Sequence, residues 1–258
     1  MDLSIVIPAL NEERKIAPDI TTAAFFFGEA GLRGEVIVVD DGSTDRTFHN
    51  ALTAMVPEAV RRRVIRLERH AGKGAALRAG VAETTGDVVL AADSGTCVPY
   101  ADALPSYARI RAGEVEIALG SRVDPDSIIC RNRPLGRRIV SRAFRAAARL
   151  VAQLPRQISD SQCGFKLYRG DVARELFAGL ETDGFVFEIE ILLKARNRGL
   201  RIEEFPVHWS CDLDTRLRPP RQATEVLKEL RRVRRIMRLD IGAPMTSQGG
   251  YRHDDIIR

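Results

Sequence analysis

The sequence predicts an α/β fold, a largely parallel, doubly wound sheet flanked by helices. Three observations lead there. β-branched apolar runs of 5 to 9 residues recur through the first half, and most do not alternate, as strands covered on both faces do not. Amphipathic stretches of helical length separate them. Repeated βα units imply parallel strands joined by crossovers. The length, 258 residues, suits one large α/β domain or two small ones.

Strands are expected at 3–10 (LSIVIPAL), 35–41 (EVIVVDD), 64–69 (VIRLER), 87–93 (DVVLAAD) and 114–122 (EVEIALGSR), with helices near 12–30, 45–55, 73–84 and 100–112. STDRTFHNAL carries a helix start, with Ser43 or Thr44 as the cap and Asp45 in the first turn. After residue 122 the character changes. Leu135, Ile139, Ala143, Ala147, Leu150 and Leu154 recur at helical spacing and predict a basic helix over 135–153. Strands at 163–169 and 201–209, helices at 171–180 and about 186–198, and a last basic helix at about 222–239 complete the pattern. The tail beyond 239 has few apolar anchors and is expected to be disordered.

Composition bounds the function. With 45% hydrophobic and 29% charged residues the chain reads as soluble and globular, and no apolar run nears the about 20 residues that cross a bilayer. Met1-Asp2 leads straight into the first strand without a signal peptide, so a cytoplasmic location is expected. Cys97, Cys130, Cys163 and Cys211 lie far apart with no Cys-x-x-Cys pair, which favours free thiols over zinc or disulfides. Residues 1–100 carry a charge balance of −3 and residues 101–258 one of +8. The excess sits in 131–149, with seven Arg and no acid, and in 216–238, with nine Lys/Arg against two Glu. Such stretches suit phosphates, anionic membranes or nucleic acid, or are solvated helix faces. Aromatics are only 6% of the chain and do not interleave with the bases, which disfavours nucleic acid.

In doubly wound sheets ligands bind outside the carboxyl ends of the strands. That rule directs attention to Pro8–Glu12, Asp40–Ser43 and Asp93–Thr96. Carboxylates there can accept from a base N–H or from ribose hydroxyls, or can ligate a cation. Gly72-Lys73-Gly74 opens a helix, where glycine allows close approach and lysine favours phosphate. It lacks the spacing of a Walker A loop, and no G-x-G-x-x-G follows the first strand.

Taken in order, SIVIPALNEE, EVIVVDDGSTDRT, GKGAALRAG, GDVVLAADS, GSR and DSQCGFKLYR resemble the family 2 inverting glycosyltransferases of GT-A fold. Asp160–Lys166 and the segment GFVFEIEILLKARNRG resemble most nearly their dolichyl- or polyprenyl-phosphate glucosyltransferase branch. The resemblance spans about residues 3–210, and it implies a nucleotide-sugar half over 1–122 and an acceptor half over 123–210. A basic helical extension over 211–239 and the 240–258 tail follow.

The resemblance also implies roles. Pro8, Ala9, Asn11, Glu12 and Asp40 hold the uridine of a UDP-sugar, while Asp41 and Ser43 shape the turn. Gly72 and Lys73 sit near the nucleotide, and Asp93 faces the diphosphate and its divalent cation. Gln162, Cys163, Gly164 and Lys166 line the reacting centre, with Asp93, Lys166 and Glu188 as the catalytic set. Glu188 and Glu190 occupy the acidic positions of an "FDxE" helix. Arg122, Arg131, Arg133, Arg137 and Arg138 are the candidate acceptor-binding cations.

Two departures stand out. His70 replaces the branch's Asn before Gly-Lys-Gly, and the Asp-x-Asp reads Asp93-Ser94-Gly95, with Gly95 where a second carboxylate is expected. Mg2+ or Mn2+ then has one Asp and the phosphate oxygens to hold it. Alternatively, Arg122 or Lys166 offsets the diphosphate and makes metal dispensable. A hydroxyl acceptor would need a base, for which Glu188 comes first and Asp160 second. A phosphate acceptor needs positioning only.

The C-terminal helix carries Val226, Leu227, Leu230, Val233 and Met237 on one stripe ringed by arginines. That stripe fits peripheral contact with an anionic membrane as well as docking on the domain. The expected activity is transfer of a sugar, with glucose the first choice, from a UDP-sugar to a polyprenyl phosphate. The alternatives are a soluble transferase with a small-molecule acceptor and a nucleotide-sugar-binding protein without turnover.

Overall fold

β1 (Leu3–Ala9), β2 (Gly34–Asp40), β3 (Arg61–Arg66) and β4 (Val88–Ala92) run parallel, with α1 (Ile16–Ala30), α2 (Thr47–Thr53) and α3 (Lys73–Ala82) as their crossovers. The computed structural model describes residues 1–131, 135–155, 157–210 and 219–240, without the side chains of 131, 135–142, 219–225 and 238–240. A 3-10 turn at Tyr100–Ala103 and α4 (Leu104–Arg111) lead to β5 (Ile117–Ser121), and α5 (Leu135–Val151) follows β6 (Ile128–Arg131). The chain continues through β7 (Phe165–Arg169), α6 (Gly170–Ala178), α7 (Phe187–Asn197), β8 (Ile202–Pro206), β9 (His208–Ser210) and α8 (Pro219–Asp240). The main sheet has the order β3-β2-β1-β4-β7-β5-β8, and only β7 is antiparallel to its neighbours. β6 and β9 pair separately, in parallel.

The predicted α/β sheet is therefore present, and its unalternating strands do face two cores. Leu3, Ile5 and Ile7 of β1 pack on one side, with Phe27 and Tyr100, while Val6 packs on the other, with Leu77 and Leu192. β2 splits likewise into Val36 and Val38 against Ile37 and Val39. Period-two side chains on a strand buried at both faces must be apolar at every position.

Several local expectations are corrected. Ser43 and Thr44 do not cap α2. The helix starts later, at Thr47, whose N–H donates to Asp45 Oδ1 at 2.9 Å, while Ser43 Oγ accepts from Asn11 N–H. The expected strand at 201–209 is two strands, which separate at Val207 and join different sheets. β6 was not foreseen, because four residues are too short to show a period. On α5 the buried face runs through Ala148, with Ala152 and Leu154 just beyond the helix, whereas Leu150 is 79% exposed. The apolar stripe of α8 is used inside the protein. Leu230, Val233 and Met237 are buried against the core formed with α5 and α7, so they are not available for a bilayer. Arg231, Arg232 and Arg235 remain exposed on the outer face. The 240–258 tail lies outside the described residues beyond Asp240.

Candidate active site

Parallel pairing sets the carboxyl ends of β1, β2 and β4 side by side, and so gathers Pro8–Glu12, Asp40–Ser43 and Asp93–Thr96 at one edge. Pro8 and Ala9 pair with Val39 and Asp40. Asn11 has φ +50° and accepts the Thr44 N–H on Oδ1 at 2.8 Å, and Glu12 N–H donates to Thr47 Oγ1 at 2.6 Å. These bonds fix the first two strand ends to each other. Asp40 is fully buried. One of its oxygens accepts Ser43 N–H at 3.1 Å, and the other faces Arg66 Nε at 3.3 Å as an ion pair without a hydrogen bond.

Asp41 binds protein. Its carboxylate accepts Ala71 N–H at 2.7 Å and Gly72 N–H at 3.0 Å, and meets His70 Nδ1 at 2.7 Å. Gly72 stands at φ +112°, and a Cβ there would lie 2.4 Å from the Asp183 carbonyl oxygen. That same oxygen takes the N–H groups of Gly74 (2.7 Å) and Ala75 (3.3 Å). The N–H groups of Gly74 and Ala75 at the start of α3 are thus taken by protein. Only the Lys73 side chain is presented to the cleft.

The cleft itself is lined by Pro8, Lys73, Ala91, Asp93, Lys166 and Glu188, among others. Lys73 Nζ lies 2.8 Å from Asp93 Oδ1 and 3.7 Å from Glu188 Oε1, and sits over the Phe187 ring. Burial disfavours its charge, but Asp93 and Glu188 outweigh burial and hold the ammonium above its ordinary pKa. Lys166 Nζ donates to Glu188 Oε1 at 2.6 Å and to the Cys163 carbonyl. Both Lys166 and Glu188 are buried. Glu190, two residues on, belongs to the fold instead. Its oxygens accept the N–H groups of Glu181 and Thr182, each at 2.9 Å, and Lys194 pairs with it.

Gly95 brings no second carboxylate to join Asp93. Its φ is +102°, and its N–H turns away to Asp19 Oδ2 at 2.8 Å. Ala91, near the end of β4, lines the same cleft. Asp19 was not foreseen. Buried in α1, it also accepts from Thr96 Oγ1 and Tyr100 OH and so clamps the loop after β4, and burial raises its pKa. Its only sequence signal is an acid on the apolar face of a helix.

Arg122 grips Asp160 through Nε (2.6 Å), Nη2 (2.7 Å) and its own N–H (3.0 Å), and its guanidinium lies over Trp209. Burial would raise the Asp160 pKa, but the hydrogen bonds and charge of Arg122 prevail and hold it at about 2, below the ordinary 3.8. A depressed carboxylate stabilises the fold above the unfolded pKa and loses that contribution as pH falls through the folded one. The stabilisation is about 2 kcal/mol, lost between about pH 4 and 2. Asp160→Asn should lower stability at pH 7 by at least about 2 kcal/mol and flatten this acid limb, as read by denaturant melts from pH 7 to 2.

Cys163 is buried, and burial pushes its thiol up to about 11. Its side chain is not offered to a ligand. Iodoacetamide at pH 8 should label exposed Cys130 and leave Cys163 unmodified until the protein unfolds, as mass spectrometry would show. Gly164 passes so close to Asp93 that a Cβ would sit 1.9 Å from Oδ2. Gln162 Nε2, Ser161 Oγ and Ser94 Oγ are buried without hydrogen-bond partners among the described residues. Of the acceptor arginines, Arg122 is committed to Asp160. Arg133 and the side chains of Arg131, Arg137 and Arg138 lie outside the described residues.

Residues 4–177 match Glycosyl transferase family 2. The chain is 34% identical over 221 residues to a dolichyl-phosphate beta-glucosyltransferase of Drosophila melanogaster, covering 81% of this chain and 67% of that protein. It is 31% identical over 225 residues to the Saccharomyces cerevisiae enzyme of the same name, covering 80% and 66%. It thus spans about two thirds of the length of these relatives. Among solved structures it resembles glucosyl-3-phosphoglycerate synthase from Mycobacterium tuberculosis with phosphoglyceric acid, at 25% identity and TM-score 0.64, covering 95% of this chain and 81% of that one. The same synthase with Mn2+, uridine diphosphate and glucosyl-3-phosphoglycerate matches at 26% identity, TM-score 0.62 and the same coverage.

Proposed function

Because this chain belongs to glycosyl transferase family 2, we propose that it moves glucose from UDP-glucose to a polyprenyl phosphate such as dolichyl phosphate, inverting the anomeric carbon. The relatives' names support the sugar and the acceptor. The observation that carries the acceptor is the state of the acids. Asp93 is paired with Lys73, Glu188 with Lys166, and Asp160 with Arg122. None stands ready to take a proton from a hydroxyl. A phosphate needs no such base, since it is already an anion near neutral pH.

In this reading a phosphate oxygen of the acceptor forms the new bond to the anomeric carbon. The bond from that carbon to the diphosphate breaks, and UDP leaves with the electron pair. Asp40, with one oxygen lacking a hydrogen bond among the described residues, accepts a uracil N–H at the end of β2. Asp93, Lys73 and Lys166 surround the diphosphate and the reacting centre, with Glu188 holding the two lysines. Residues 1–122 hold the donor, and 123–210 supply the acceptor side.

No helix among the described residues is long and apolar enough to cross a membrane. Lys228, Arg231, Arg232 and Arg235, exposed on α8, attract the protein electrostatically to an anionic cytoplasmic leaflet where a lipid phosphate is found. Likeness to the synthase seen with phosphoglyceric acid supports a second reading, in which a small anionic acceptor replaces the lipid. The test is turnover of radiolabelled UDP-glucose with a short polyprenyl phosphate in detergent. A glucosylated phospholipid is expected. Absence of transfer to the lipid, with phosphoglyceric acid glucosylated instead, would select the second reading.

A further inference from the structure

We infer that this chain binds its nucleotide-sugar diphosphate without a divalent cation, the Lys73 ammonium standing where a metal would be expected. The inference rests on the donor assigned above. The residues present do not fit a metal held by two acids. Gly95, two residues after Asp93, has no carboxylate and turns its N–H toward Asp19, and Ala91 lines the cleft without an acid. The remaining carboxylate, Asp93, is engaged by Lys73 at 2.8 Å. The nearest other acid in the cleft, Glu188, is bonded to Lys166 at 2.6 Å and lies 3.7 Å from Lys73. Among the described residues there is no group of three or more His, Cys, Asp or Glu able to hold a metal ion.

What occupies the convergence of Asp93 and Glu188 is itself a cation. Lys73 Nζ is held between them at the opening of α3, its side chain packed over Phe187 and only 18% exposed. An ammonium fixed by two carboxylates and facing a small cleft needs little reorganisation to accept phosphate oxygens. Magnesium or manganese would have to displace it from Asp93 and would gain one protein oxygen, the other ligands coming from phosphate and water. Arg66, half exposed beside Asp40, supplies further positive charge at the same edge.

The experiment is calorimetric titration of UDP and UDP-glucose into the whole chain, once with Mn2+ and once with EDTA, with Lys73→Met measured alongside. Affinities within about threefold of each other in the two buffers are expected, and Lys73→Met should weaken binding in both by roughly 10- to 100-fold. Binding that requires Mn2+ would overturn the inference while leaving the donor assignment intact. Equal binding in both buffers that Lys73→Met leaves unchanged would also overturn it, since another group would then be the cation. Absence of binding in either buffer would instead remove the donor assignment itself. Circular dichroism of Lys73→Met separates loss of the fold from loss of the site.

Discussion

Glu188→Gln should destabilise the protein by about 3–5 kcal/mol and abolish transfer, the largest single effect we expect. Glu188 and Lys166 are 4% and 3% exposed, and among the described residues the only anion bonded to Lys166 is Glu188 Oε1, at 2.6 Å. The amide removes that charge and leaves a buried ammonium with neutral acceptors only, the amide oxygen and the Cys163 carbonyl. Lys73 loses its second acid at the same time. Removing one member of a buried pair costs far more than removing both. The double variant Lys166→Met/Glu188→Leu should therefore recover most of the stability in urea melts while remaining inactive. A double variant as unstable as Glu188→Gln would show that the cost comes from packing rather than from the unpaired cation.

Gly164→Ala should leave stability close to the parent and lower kcat/KM by roughly 10- to 100-fold. The added methyl would sit 1.9 Å from Asp93 Oδ2 and 2.0 Å from Cγ. Those atoms end a half-exposed side chain, so the carboxylate can rotate outward instead of forcing the backbone apart. Its rotation breaks the 2.8 Å pair with Lys73 and frees that ammonium to move. Steady-state kinetics together with a thermal melt check this. A loss of stability comparable with that of Glu188→Gln, or an unchanged kcat/KM, would contradict it. Gly74 makes the contrast, because its Cβ would meet the Thr182 carbonyl oxygen at 2.3 Å, an atom of the backbone that cannot swing aside.

Much of this site could be read from the chain because βα repetition fixes where strand ends fall. Once β1, β2 and β4 are parallel neighbours, PALNEE, DDGSTD and ADSGT must meet at one edge. The Lys73–Asp93 approach follows from the same rule, since α3 begins at that edge. Two things were not legible, each for a physical reason. Partners far apart in sequence, such as Asp19 with Gly95 or Arg122 with Asp160, leave no periodic trace. The two glutamates of α7 differ only in which way each points. Glu188 turns to the lysines and Glu190 to the backbone of 181–182.

The fate of α8 shows the same limit. Its apolar stripe reads alike for a bilayer and for a protein core, and tertiary packing against α5 and α7 decides for the core. What remains for a membrane is charge, and any such contact should weaken with salt. The antiparallel β7, between β4 and β5, carries Phe165 and Lys166 down the middle of the sheet. In this way a residue far along the chain reaches the cleft at the ends of β1 and β4.

The most direct test of the account compares three acceptors at equal concentration with UDP-glucose: a short polyprenyl phosphate, the corresponding polyprenol, and phosphoglyceric acid. With no carboxylate of the cleft free to act as a base, the account predicts glucose on the lipid phosphate and none on the alcohol. Glucosylation of the polyprenol at a comparable rate would contradict it, because a hydroxyl acceptor requires the proton acceptor that Asp93, Glu188 and Asp160, each held by a cation, do not provide.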